Sequence, residues 1–235
     1  MRRSIISQYD QLKERLSGYV GMMNFRYLNF CVKAEAASLI PVEVPIEDEV
    51  KKIEEVANVA NNDDYSFKVF PIYDEDFEAV GQGIAMVHPE FKQEPETMMV
   101  ELDDGQKVEV KYILLTMPEV DDNRYDVLKN AVGVIYDECK AQMERAKAEA
   151  EASLGIMLVG EKPEDVDKMK KAVDELWKTW TEKRDEVHDD KLKEVEEGHQ
   201  KYQQDNAERQ RRLQEEKESN DETLKHSLKL SQVEE

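Results

Sequence analysis

Residues 34–46, AEAASLIPVEVPI, hold the change of period on which the fold turns. Upstream, apolar side chains recur at Ile5, Tyr9, Leu12, Leu16, Val20, Met23, Tyr27, Phe30, Ala34 and Ala37, in steps of three and four. That narrow stripe predicts one long bundle helix, weakened locally by Gly18 and Gly21 and stopped by Pro41. Immediately downstream, Val42-Glu43-Val44 between Pro41 and Pro45 predicts a short strand.

The next seventy residues keep the new period. A helical turn is expected within Glu47–Glu55 and a second strand at Val56–Val59. Strict alternation over Tyr65–Phe70 predicts a third. Asp74 fits the N-cap of a helix carrying Phe77, Val80, Ile84 and Val87. Met98–Leu102 and Val108–Leu115, separated by Asp103-Asp104-Gly105, predict a hairpin.

Helical period returns after Pro118. A second stripe runs through Leu128, Val132, Ile135, Cys139, Met143, Ala146, Ala150, Leu154 and Met157 to Gly160. Pro163 opens a third helix with Val166, Met169, Val173, Leu176, Trp180, Val187 and Val195. The predicted fold class is therefore α+β. A long three-helix bundle, residues 1–41 and 118–195, is interrupted after its first helix by a small β-rich domain over 42–117. Residues 196–235 have few apolar side chains and are expected as a polar extension, either solvated helix or disorder.

Composition narrows the function classes. The 235 residues carry a net charge of −21, with 37% of them charged. Such acidity argues against a protein that coats itself on nucleic acid such as DNA, since phosphate binding needs clustered Lys and Arg, and it weakens an RNA-binding reading without excluding it. The charge is uneven: residues 42–117 sum to −13, residues 1–41 to +3, residues 118–195 to −7 and residues 196–235 to −4. No apolar run reaches the ~20 residues of a membrane helix, and MRRSIISQYDQ lacks the apolar core of a signal peptide. A soluble, cytoplasmic protein with no membrane partner is expected. Cys31 and Cys139 both fall within helical periodicity and read as small buried hydrophobes in a reducing compartment.

No motif announces catalysis, and no cofactor or metal is expected. His88, His188, His199 and His226 are scattered; His188 and His199 lie ~16 Å apart along one helix, too far for a shared ion. Glu47-Asp48-Glu49 and Asp74-Glu75-Asp76 lack the spacing and glycine of a calcium loop. Gly81-Gln82-Gly83 lacks the third glycine of a dinucleotide loop. Trp177 and Trp180 share a helix face and read as bundle core and edge rather than a base-stacking platform. The chain does not read as an enzyme.

The element order, together with local sequence, resembles the ribosome recycling factor family. The resemblance runs from about Ile53 to Lys183. It rests on IEEVANV (53–59), FKVFPIYDEDFEAVGQGI (67–84), MPEVDDNRYDVLKNAV (117–132), DECKAQMERAKAEAEASL (137–154) and KPEDVDKMKKAVDELWKTWTEK (162–183). Val32-Lys33-Ala34 stands where the family has a basic signature on its first helix. The chain departs from the family at Lys33, which replaces an arginine, at Glu144, which stands for another, and at Ala148, which loses a cation. The segment His88–Gln106 is also longer than the family's.

The resemblance implies an L-shaped protein that binds the post-termination ribosome through large-subunit ribosomal RNA. It further implies a small domain that swings about two hinge strands, here Leu39–Pro45 and Thr116–Asp121, when elongation factor G engages it. Subunit splitting then draws on that GTPase, and the factor has no catalytic residues. Lys33, Arg124, Arg145 and Lys147 become the candidates for RNA contact; without the resemblance they read as ordinary solvated helix charge. The lost arginines and polar extension fit a different expectation, a diverged paralogue with the same fold serving as a protein-interaction or structural module.

Overall fold

The computed structural model describes residues 2–47, 49–101 and 105–231, with side chains through 219. Helix α1 (Arg3–Leu28) buries Ile5, Leu12, Leu16, Val20, Met23 and Tyr27. These meet α4 (Asp122–Met157) along the predicted second stripe from Val132 to Leu154. Helix α5 (Pro163–Ser231) adds Met169, Val173 and Leu176, with Trp177, Trp180 and Val187 half-buried at the edge. One continuous apolar core runs between the three helices. Cross-helix polar bonds fix their register. The Tyr27 hydroxyl donates to the Val132 carbonyl at 3.0 Å, and Tyr136 donates to Asp185 at 2.8 Å, which also accepts from Arg184.

Between α1 and α4 lies the β-rich unit. Strands β1 (Glu43–Ile46) and β2 (Glu49–Lys52) form a hairpin, followed by the single turn α2 (Ile53–Val56). Strands β3 (Ala57–Asp63), β4 (Ser66–Pro71), β5 (Lys92–Glu101) and β6 (Lys107–Thr116) make an antiparallel sheet in the order β3-β4-β6-β5. Helix α3 (Phe77–Val87) crosses β1 so closely that a Cβ at Gly83 would lie 2.7 Å from the Glu43 carbonyl. Glycine is therefore a packing requirement there. Val44, Phe67, Val69, Val80, Ile84 and Leu115, all fully buried, centre this second core.

Several expectations are corrected. The first helix ends at Leu28, well before Pro41. Its apolar spacing continues, but the burial changes partner: Cys31 and Ala34 pack into the small core, not the bundle. Tertiary bonds compete successfully with the helix, since the Phe30 and Cys31 carbonyls accept from Arg124 and the Ala34 amide donates to Asp64. Leu39–Pro45, expected as a hinge strand, packs within the small unit. Leu39, Val42 and Val44 are core residues of the small unit, and residues 29–35 make the first connection.

The turn expected across Glu47–Glu55 divides into β2 and α2, with Glu47 at φ 53°. Asp74 opens a short 3-10 turn; α3 starts at Phe77 without a side-chain cap. The hairpin is present and longer than predicted, while Asp103-Asp104 fall outside the described residues. The boundary expected near Glu196 lies inside α5, which runs unbroken to Ser231. Pairs one turn apart, Lys201 with Asp205 at 2.9 Å and Arg212 with Glu208 at 2.6 Å, support the polar helix where packing does not.

Candidate functional site

The two units meet where the connections 29–35 and 117–121 run side by side, with α5 laid across them. Val32, Val120, Leu128 and Val195 form a small separate cluster at this junction. A Cβ on Gly198 would stand 3.0 Å from Val120 Cγ2 and 3.1 Å from Val32 Cγ1, so α5 touches both connections with its backbone. His199 Nδ1 lies 3.0 Å from the Val120 carbonyl, and its ring stacks on Tyr125 at 4.4 Å. Lys201 sits over the Tyr65 ring, 4.9 Å from its centre, and Arg209 holds both Glu119 carboxylate oxygens at 2.9 and 3.0 Å. The first part of the segment expected as a polar extension, from Gly198 to Arg209, is thus a strap across the junction.

Arg124 is the centre of this arrangement. Asp121 caps α4 by accepting from the Arg124 amide at 2.7 Å, which fixes the side chain in the first turn. The guanidinium then donates to Phe30 O at 2.8 Å and more weakly to Cys31 O at 3.4 Å in one connection, and to Pro118 O in the other. Burial pulls its pKa below the usual arginine value, opposed by the nearby Cys31 and Glu90. Lys33 is held by α5: its amide donates to Glu194 at 3.1 Å and its ammonium to Glu197 at 2.7 Å. The Glu197 bond raises the lysine's pKa against a smaller desolvation effect.

The remaining two candidate cations lie elsewhere. Arg145 and Lys147 are 21 and 23 residues further along α4, about 30 Å away. Lys147 rests over Trp177, 4.8 Å from the ring centre, and lies 3.6 Å from Glu151. Arg145 is exposed and makes no ion pair among the described residues. The four cations therefore do not form one patch: Lys33 and Arg124 belong to the junction, and Arg145 and Lys147 to the bundle surface.

Sequence reasoning missed a second group at the same junction. Cys31, at φ 48°, turns its thiol toward His88, with Sγ 3.7 Å from Nδ1. That nitrogen is also 3.1 Å from Glu90 Oε1, while Nε2 is 2.8 Å from the Ser38 carbonyl. Phe91 stacks on the imidazole at 4.4 Å with the rings 3° from parallel. Cys31 is 2% exposed and His88 4%. Burial pushes the Cys31 thiol up to about 11, so the free side chain is no nucleophile at neutral pH. A separation of 57 residues between Cys31 and His88 left no spacing signal.

No protein-family model matches the sequence, and no curated protein does. Solved structures do. A solution structure of the ribosome recycling factor superposes with a TM-score of 0.64 at 13% identity, covering 84% of this chain and 100% of that one. A second similar structure comes from models for the T. thermophilus ribosome recycling factor and the E. coli elongation factor G bound to the E. coli post-termination complex. Its TM-score is 0.51 at 13% identity, covering 81% of this chain and 98% of that one. Among the described residues no helix is long and apolar enough to cross a membrane. The chain has the fold of the ribosome recycling factors.

Proposed function

We propose that this protein binds the post-termination ribosome in the cytoplasm and, with a translocase GTPase of the elongation factor G type, promotes subunit separation without catalysis of its own. The observation that carries the reading is the fold, which accounts for all of the ribosome recycling factor it superposes on. A similar structure represents such a factor together with elongation factor G on a post-termination complex. The charge distribution supports it: most of the acidity lies in residues 42–117, leaving the bundle closer to neutral. Contacts to ribosomal RNA are assigned to Arg145 and Lys147, while Arg124 and Lys33 hold the junction that sets the angle between the two units.

Ribosome co-sedimentation at low and moderate salt tests this. Binding that weakens as salt rises is expected, because phosphate contacts release counterions. The double variant R145E/K147E should lose it with little change in helical content. Absence of salt-sensitive co-sedimentation at every concentration tried refutes the reading. The internal engagement of Lys33 and Arg124 favours a second one, a paralogue using this fold as a protein-interaction or structural module. That reading predicts that R145E/K147E leaves the protein's associations unchanged.

A further inference from the structure

We infer that Cys31, His88 and Glu90 form a binding site for a divalent ion of the zinc class, which fastens the first connection to the small unit. Their ligand atoms, Cys31 Sγ, His88 Nδ1 and a Glu90 carboxylate oxygen, all lie within 4.8 Å of one another. A tetrahedral ion at ordinary bond lengths, ~2.3 Å to sulfur and ~2.0–2.2 Å to nitrogen and oxygen, requires ligand separations of about 3.4–3.6 Å. The sulfur–nitrogen distance is 3.7 Å and the nitrogen–oxygen distance 3.1 Å. Only the Glu90 carboxylate has to move appreciably, and its side chain is 39% exposed.

The surroundings match such a site. The Ser38 carbonyl accepts from His88 Nε2 at 2.8 Å, which in the neutral ring leaves the lone pair on Nδ1, facing the other two ligands. In that tautomer no proton stands between the imidazole lone pair and the Glu90 carboxylate 3.1 Å away. A cation there removes the conflict. Phe91 stacks against one side of the ring and restricts its rotation. Cys31 holds a left-handed backbone conformation, uncommon outside glycine, which directs its thiol to this point. A thiolate, an imidazole and a carboxylate are donors suited to zinc, and they leave the fourth position to water on the Glu90 side. On binding, Sγ loses its proton to solvent as the sulfur–metal bond forms, and no oxidant or reductant is involved.

The site has a structural consequence. Cys31 lies on the connection leaving α1, whereas His88 and Glu90 follow α3 in the small unit. An ion bridging them fixes the connection beside the carbonyls that Arg124 holds.

The test uses the full-length reduced protein titrated with zinc against a competing chelator, and with cobalt as a spectroscopic probe. One equivalent of zinc is expected, and cobalt should give a thiolate charge-transfer band with the intense visible bands of a tetrahedral site. C31S should abolish the charge-transfer band, and H88N should weaken zinc at least tenfold. Because Glu90 is half-exposed, E90Q provides a folded variant and should also weaken zinc about tenfold or more. Several results overturn the proposal: no saturable binding, a cobalt spectrum without the thiolate band, or unchanged affinity in E90Q. They would leave an imidazolium bridging Ser38 and Glu90 as the account of the same distances.

Discussion

Replacing Arg124 with alanine separates a junction-holding role from an RNA contact. The guanidinium makes one bond of good length, 2.8 Å to Phe30 O, one to Pro118 O, and a long one of 3.4 Å to Cys31 O. Hydrogen bonds to a charged group contribute about 1.5–3 kcal/mol each. Two effective bonds therefore suggest roughly 3–6 kcal/mol before offsets. Two offsets apply: the desolvation that lowers the Arg124 pKa is relieved, and water reaches the freed carbonyls at this partly exposed position. A net loss of about 2–3 kcal/mol follows, or about 5–10 °C in Tm for a chain of this size. Urea unfolding followed by far-ultraviolet circular dichroism gives the stability change, and hydrogen exchange at the Val32–Glu35 amides localises it. A loss under about 0.5 kcal/mol, combined with abolished ribosome co-sedimentation, would refute the reasoning and return Arg124 to the RNA-binding candidates.

Two further outcomes are expected. G198V places a branched side chain where even a Cβ would be 3.0 Å from Val120 and 3.1 Å from Val32; a destabilisation of about 1–3 kcal/mol is expected. Hydrogen exchange should accelerate in α5 around residue 198 and in both connections, and an unchanged exchange pattern would show that the strap does not pack as described. The third outcome concerns His188, which burial holds below its ordinary value of 6.5 against the attraction of Asp189 and Asp185. The unfolded chain takes up that proton first, so stability should fall as pH drops below about 6.5 and level off below the folded-state pKa. Urea midpoints at pH 7.5 and 5.5 measure the slope, and H188Q should flatten it; an equal slope in the variant would assign it to other groups.

Much of the bundle was legible in the sequence because helical burial repeats every three or four residues. The stripe from Leu128 to Leu154 is the buried face of α4. Alternation over Tyr65–Phe70 likewise became β4, whose Phe67 and Val69 are fully buried. The site was less legible. Lys33 and Arg124 stood out as cations, but nothing local showed that their partners are Glu194, Glu197 and three backbone carbonyls. Arg145 and Lys147 looked adjacent to them in role, yet the length of α4 sets them about 30 Å apart.

The sequence by itself determined the types of its main elements and their order: long apolar stripes before Pro41 and after Pro118, and alternating segments between. Those are local properties, written in the spacing of side chains along one backbone. Only the tertiary structure decided that α1 stops at Leu28, since Cys31 and Ala34 keep helical spacing while burying in a different core. It alone decided that the polar stretch after Glu196 straps the junction, where Gly198 permits backbone contact with two distant connections. The meeting of Cys31 with His88 and Glu90 belongs to the same class. Periodicity tells which face of an element is buried, but the atoms that cover that face come from elsewhere in the chain.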